Sequence, residues 1–152
     1  MKRAAFSHSC QRQRGVAAVE FALIAGVFFT LLLGIVEFSR VLYYWNTASE
    51  ATRLGARMAV VCDAGDLVIK NRMRDMLPLL QNGNISVAYE PAGCDSDPAN
   101  ARSTCQSVMV SVANVSVATV IPLVPLTLNM PPFATTMTRE SMQTSTGGSV
   151  CS

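Results

Sequence analysis

Few residues in this chain could do chemistry, and they are placed oddly for an enzyme. The single histidine, His8, precedes the first apolar run. Glu20 and Glu37 flank the 16 uncharged residues from Phe21 to Val36. On one helix they stand about 25 Å apart, too far to work as an acid–base pair. With no histidine after His8, neither a Ser-His nor a Cys-His pair can form in the body of the chain. A P-loop and a dinucleotide fingerprint are also missing. What remains is chemistry done to the chain: cleavage of the Gly15–Val16 bond, neutralisation of Glu20, and oxidation of cysteines. The sequence thus points away from catalysis, and no cofactor is expected.

These residues are positioned by one apolar element. From Val16 to Phe38 only Glu20 and Glu37 are charged. The 21 residues from Val16 to Val36 span about 31 Å as a helix, matching a hydrocarbon core of ~30 Å. Residues 16–38 are therefore expected to form a transmembrane helix. Lys2, Arg3, Arg12 and Arg14 precede it with no acidic residue among them, so residues 1–15 read as a basic leader and not as fold. Basic flanks stay on the cytoplasmic side, which puts the N-terminus in and the C-terminal domain out. The whole chain has 12 basic and 10 acidic residues. Without the leader's four basic residues it has eight against ten, so nothing favours nucleic acid.

Glu20 needs a reason, because an acidic side chain at a bilayer centre costs roughly 2.5–3.5 kcal/mol. Near the helix start it has some dipole support, so an interfacial carboxylate is one reading. The other is a cut after Gly15. Val16 then carries a new α-amine and Glu20 becomes the fifth residue. A buried carboxylate is best tolerated when paired, and the amine of a neighbouring subunit would serve. A secretory-type cleavage site at the far end of the apolar run fits Gly34-Ile-Val-Glu-Phe-Ser-Arg40 poorly.

Of five cysteines, Cys10 lies in the leader and Cys62, Cys94, Cys105 and Cys151 on the expected exported side, where disulfides persist. Four cysteines allow three pairings. The favoured one joins Cys94 to Cys105 across a polar loop and Cys62 to Cys151 from helix end to tail. Zinc is disfavoured by the spacing and the missing histidines. The Asp95-Ser-Asp97 pair lacks the further ligands of an EF-hand loop.

The helix is expected to continue through residues 39–62, with Ala48, Ala51, Leu54, Met58 and Val61 on one apolar face. Residues 63–152 are expected to form a small exported α+β domain. Asp66 would cap a helix over 66–77, burying Leu67, Ile69, Met73, Met76 and Leu77. Strands are expected around 85–89, over 108–120 and over 135–142, with 90–106 a loop and an extended piece at 126–128. The fold class is α+β: a long N-terminal helix packed on a small antiparallel sheet, as in a pilin-like lollipop.

The basic leader, Gly15, Glu20, Phe21 and the long apolar helix resemble the class III signal of type IV prepilins. Gly34-Ile-Val-Glu-Phe-Ser-Arg40, Tyr43-Tyr-Trp-Asn46 and Ala51-Thr-Arg-Leu-Gly-Ala-Arg57 resemble the TadE-like family of minor pilins (pseudopilins) of the Tad/Flp type IVb pilus. The resemblance covers about residues 12–61. It implies removal of residues 1–15 by a prepilin peptidase at Gly15 and Val16, and assembly through Glu20 and Phe21. It also implies other pilin and minor pilin subunits and an inner-membrane assembly platform as partners, and a role in adhesion and surface colonisation. The alternative is an uncleaved signal-anchored envelope protein with a small disulfide-bonded binding domain.

Overall fold

The computed structural model describes residues 14–65, 67–121, 125–142 and 148–151. The leader up to residue 13, Cys10, the expected Asp66 cap and Pro122 lie outside them. The chain divides into two compact units at Phe38 and Ser39.

A single helix, α1, runs Arg14–Ala59. No proline interrupts it, and the stretch to Phe38 is almost continuously Val, Leu, Ile, Phe, Ala and Gly. Among the described residues of that first unit nearly every side chain is exposed, including Val16, Phe21, Phe28 and Ile35. The helix is long and apolar enough to cross a membrane, and its most apolar window has no residue buried within the protein.

The second unit is built on the rest of α1. Helix α2 spans Leu67–Met76. Strands β1 (Ile85–Glu90), β2 (Ser107–Val112) and β5 (Phe133–Thr138) form an antiparallel sheet in the order β1-β2-β5. A one-turn helix, α3 (Ala101–Thr104), precedes β2. Strands β3 (Ser116–Ala118) and β4 (Thr127–Asn129) make a separate antiparallel pair. The class is α+β, with antiparallel pairing throughout the described strands.

Register explains the core. Ile85 pairs with Val112 and Val112 with Phe133, Val87 with Val110 and Val110 with Thr135, Tyr89 with Val108 and Val108 with Met137. Strand alternation puts these three rows on one face, and they meet α1 and α2 in a single cluster. From α1 the cluster receives Ala48, Ala51, Ala56, Met58 and Ala59. A polar contact sits among them. Thr52 donates to Ser49 O at 2.8 Å, which leaves Thr135 to donate to Thr52 at 3.1 Å.

Three details differ from the periodicity. The expected strand 108–120 is broken after Val112, because Asn114 takes φ 58°, a left-handed conformation that Asn tolerates. Asn84 fixes the break: its Nδ2 donates to Ala113 O and Asn114 O at 3.2 and 2.9 Å. In α2, Ile69 and Met73 are buried, whereas Leu67 and Met76 are exposed. The last strand starts at Phe133 and gives way to a 3-10 turn at Arg139–Ser141.

Gly55 reads from sequence as a weak point in the helix. In the fold it is a contact. A Cβ there would lie 2.5 Å from Met73 Sδ and 3.0 Å from Val110 Cγ1, both side chains fully buried. Overpacking of this kind typically costs about 1–3 kcal/mol. Gly55→Val is expected to destabilise the second unit by that amount in denaturant titration. Gly83→Ala, which meets no atom within 4 Å, is expected to leave the midpoint nearly unchanged.

Candidate functional site

The residues singled out for processing and assembly lie in the first two turns of α1. Gly15, Val16, Glu20 and Phe21 are all exposed. Val16 to Glu20 is one helical turn, about 6 Å of rise. A Cβ added at Gly15 would meet nothing within 4 Å. A scissile bond needs such access, and an assembly face needs such exposure. The four are thus close together along the helix, and no contact from the described residues covers them.

The cysteines fall elsewhere, at the far end of α1 and on the α3 loop. Cys62 is joined to Cys151 with Cα atoms 5.4 Å apart, and Cys94 to Cys105 at 5.2 Å, both ordinary disulfide separations. Cys62 and Cys105 are fully buried. The first bridge closes a sequence separation of 89, the second one of 11.

Between the two bridges lies a polar cluster that sequence reading did not find. Arg102, on α3, is buried and pairs through Nη1 with Asp63 Oδ1 just beyond the end of α1. Its Nη2 donates to Ala99 O at 3.4 Å, and its Nε has no partner among the described residues. Tyr89 Oη donates to Ala59 O at 3.2 Å, satisfying a carbonyl of the last helical turn. The available signal was that Arg102 is the only basic residue between Arg74 and Arg139, set in a loop with Asp95 and Asp97. The two aspartates are not held as a cation site: Asp97 caps the α3 approach, accepting from Ala99 N at 3.1 Å and Asn100 Nδ2 at 2.7 Å. Among the described residues, no group of three or more His, Cys, Asp or Glu gathers as a metal site.

The geometry thus gives two regions with different roles. One is an exposed apolar helix that carries Gly15, Val16, Glu20 and Phe21 near its start. The other is a cross-linked domain whose polar groups lock the helix end instead of facing a substrate. Together they describe a small cross-linked α+β domain that follows a helix long and apolar enough to cross a membrane. Residues 15–57 match the family described as TadE-like protein, so this segment of the chain is similar to that family. The match is consistent with a protein of the Tad pilus system. No curated protein and no solved structure matches the chain.

Two outcomes follow for the cross-linked region. Burial pushes the Tyr89 hydroxyl up from 10.0 to about 12, with Arg102 opposing and Asp95 and Asp63 adding to the rise. The folded chain then keeps a proton that the unfolded chain loses above pH 10. Stability is intact below pH 10 and falls as pH climbs from about 10 toward about 12. Tyr89→Phe is expected to abolish that fall, and to cost about 0.5–1.5 kcal/mol at neutral pH, both read by denaturant titration. Replacing Cys62 and Cys151 with Ser is expected to cost roughly 2–5 kcal/mol, more than replacing Cys94 and Cys105, because the closed loop is longer. Peptide mapping without reductant checks the pairing in the same samples.

Proposed function

We propose that this chain is a minor pilin or pseudopilin that takes part in assembling a Tad/Flp pilus, and so in adhesion and surface colonisation. The carrying observation is the TadE-like match, which starts at Gly15 and runs through the exposed apolar helix to Arg57. In this reading α1 anchors the chain in the bacterial inner membrane through residues 16–38, N-terminus cytoplasmic and residues 63–152 exported. A membrane aspartic prepilin peptidase cuts between Gly15 and Val16. The freed helix then packs among other pilin and minor pilin helices at the assembly platform.

The physical support is the match between the helix and the task. In hydrocarbon every backbone group must be satisfied internally, which a helix achieves alone. Once the helix is surrounded by other helices, Glu20 loses its access to water. A charge there is stabilised by an opposite charge, and the Val16 α-amine created by the cut supplies one on each neighbour. Phe21, beside it, offers apolar area to the same contact. Gly26 and Gly34, open on their Cβ side, permit close approach of another helix.

Intact mass and N-terminal sequencing of the membrane-extracted chain test the reading, with and without the peptidase. A chain starting at Val16 only when the peptidase is present is the expected result. A chain that keeps its leader in both strains would leave an uncut signal anchor. Glu20→Ala is expected to be cut normally yet to fail in assembly, and a functional pilus built with that variant would overturn the role given to Glu20.

A further inference from the structure

The β2–β5 ladder and the β3–β4 ladder are one ribbon with a single interruption. The first ladder ends with Val112 opposite Phe133. The second resumes in step, with Met130 donating its N–H to Val115 O at 2.8 Å and Ser116 opposite Asn129. Two residues of each strand fall outside both ladders, Ala113-Asn114 on one side and Pro131-Pro132 on the other. The prolines have no N–H to offer a partner. Opposite them Asn114 turns left-handed, and Asn84 holds the turn from both directions. Asn84 O accepts from Ala113 N at 3.0 Å, while Asn84 Nδ2 donates to the carbonyls of Ala113 and Asn114.

The interruption leaves a cleft of about 340 Å³, lined by Ala113, Asn114, Ser116, Asn129, Met130 and Pro132. Val115 and Val117 are buried, so strand alternation turns Ser116 to the open face. Its cross-strand partner Asn129 shares that face. Val115 with Met130, and Thr119 with Leu126, are hydrogen-bonded pairs. Ser116 with Asn129 is therefore a pair of the other kind, in which the side chains stand closest. Asn114 lines the same cleft. All three side chains are exposed, and none has a hydrogen-bond partner among the described residues.

We propose that this cleft binds a neutral sugar ring. An ionic ligand would find no counter-charge: no lining residue is charged, and the stretch from Ser103 to Thr138 contains no Asp, Glu, Lys or Arg. The polar groups suit hydroxyls. Each side-chain amide holds a donor and an acceptor side by side, and Ser116 offers both on one oxygen. Adjacent ring hydroxyls present the matching alternation of donor and acceptor. Met130 and Pro132 supply an apolar wall for the C–H face of the ring. The volume is at the small end of the roughly 300–1,000 Å³ of ligand sites, which suits one ring. Because Asn84 sets the turn at Asn114 beforehand, less ordering is lost on binding. The inference uses residues of the second unit alone and does not rest on the pilus reading.

The full chain in phosphatidylcholine nanodiscs avoids the sugar headgroups of common detergents. It is titrated with glucose, galactose, mannose and N-acetylglucosamine, and with the charged glucuronate and glucosamine, by saturation-transfer NMR. The expected result is binding of at least one neutral sugar with a Kd on the order of 1 mM. Asn129→Ala and Asn114→Gly are each expected to weaken that binding about tenfold, as loss of one hydrogen bond does. Glycine accepts the left-handed backbone at position 114, so this variant removes the amide and keeps the turn. Asn71→Ala, on α2 and outside the cleft, is expected to leave binding unchanged. Denaturant midpoints confirm that the variants are folded. No binding of any neutral sugar overturns the proposal. Binding that survives both Asn129→Ala and Asn114→Gly overturns it too, because the sugar then sits elsewhere on the chain. Tighter binding of glucuronate or glucosamine than of every neutral sugar also overturns it, since charge would then select the ligand.

Discussion

The second unit depends on how closely a sheet and a second helix can approach α1. The helix makes that approach possible by being small. Ala48, Ala51, Ala56 and Ala59 are fully buried, and Gly55 has no side chain to hold its neighbours away. The volume of the core is supplied from the other side, by Val108, Val110 and Val112 of β2 and by Ile69 and Met73 of α2. Interiors pack to a nearly fixed density, so large residues on one surface require small ones on the other. In the segment Arg53-Leu-Gly-Ala-Arg57, Gly55 and Ala56 meet the core while Arg53 and Arg57 remain exposed.

The same helix obeys a different rule before Phe38. There it is bulky around its whole circumference, with Phe, Leu, Ile and Val exposed on every side. A helix in hydrocarbon has no need of a wet face, and its backbone is satisfied by its own hydrogen bonds. The TadE-like match at 15–57 covers both regimes and stops just short of the α1 terminus. What is shared with that family is thus the helix, with its lipid-type half and its small-faced half. The fold built upon it rests on residues outside the match.

Much of this layout is readable in the sequence because it is periodic or compositional. Uncharged length reveals the apolar span, and spacing of three and four reveals the face carrying Ala48, Ala51 and Met58. Strict alternation reveals the strand at Ile85, Val87 and Tyr89. The failures share another origin, long-range contact. Nothing local in Val108–Val120 announces that Asn84, far upstream, holds Ala113 and Asn114 and so divides the strand. Leu126–Leu128 looks merely extended until β3 is there to pair with it. Arg102 reads as a loop cation until Asp63 and the end of α1 are brought to it. Gly55 looks like a flaw until Met73 and Val110 occupy the space it leaves. At the N-terminal end of α1 the reverse holds: Gly15, Val16, Glu20 and Phe21 are visible as a motif, whereas the fold of the single chain gives them no contact that would explain it.

The bond between Cys62 and Cys151 has a topological effect apart from its stabilising one. It turns nearly the whole second unit into a ring of chain hung from one point, the end of α1. Such a ring offers no free end from which to be unravelled when the anchoring helix is pulled. A single cut by a protease anywhere between residues 62 and 151 would open the ring without releasing a fragment, so both pieces would stay covalently attached to the membrane helix. Damage would then have to strike twice before material is lost.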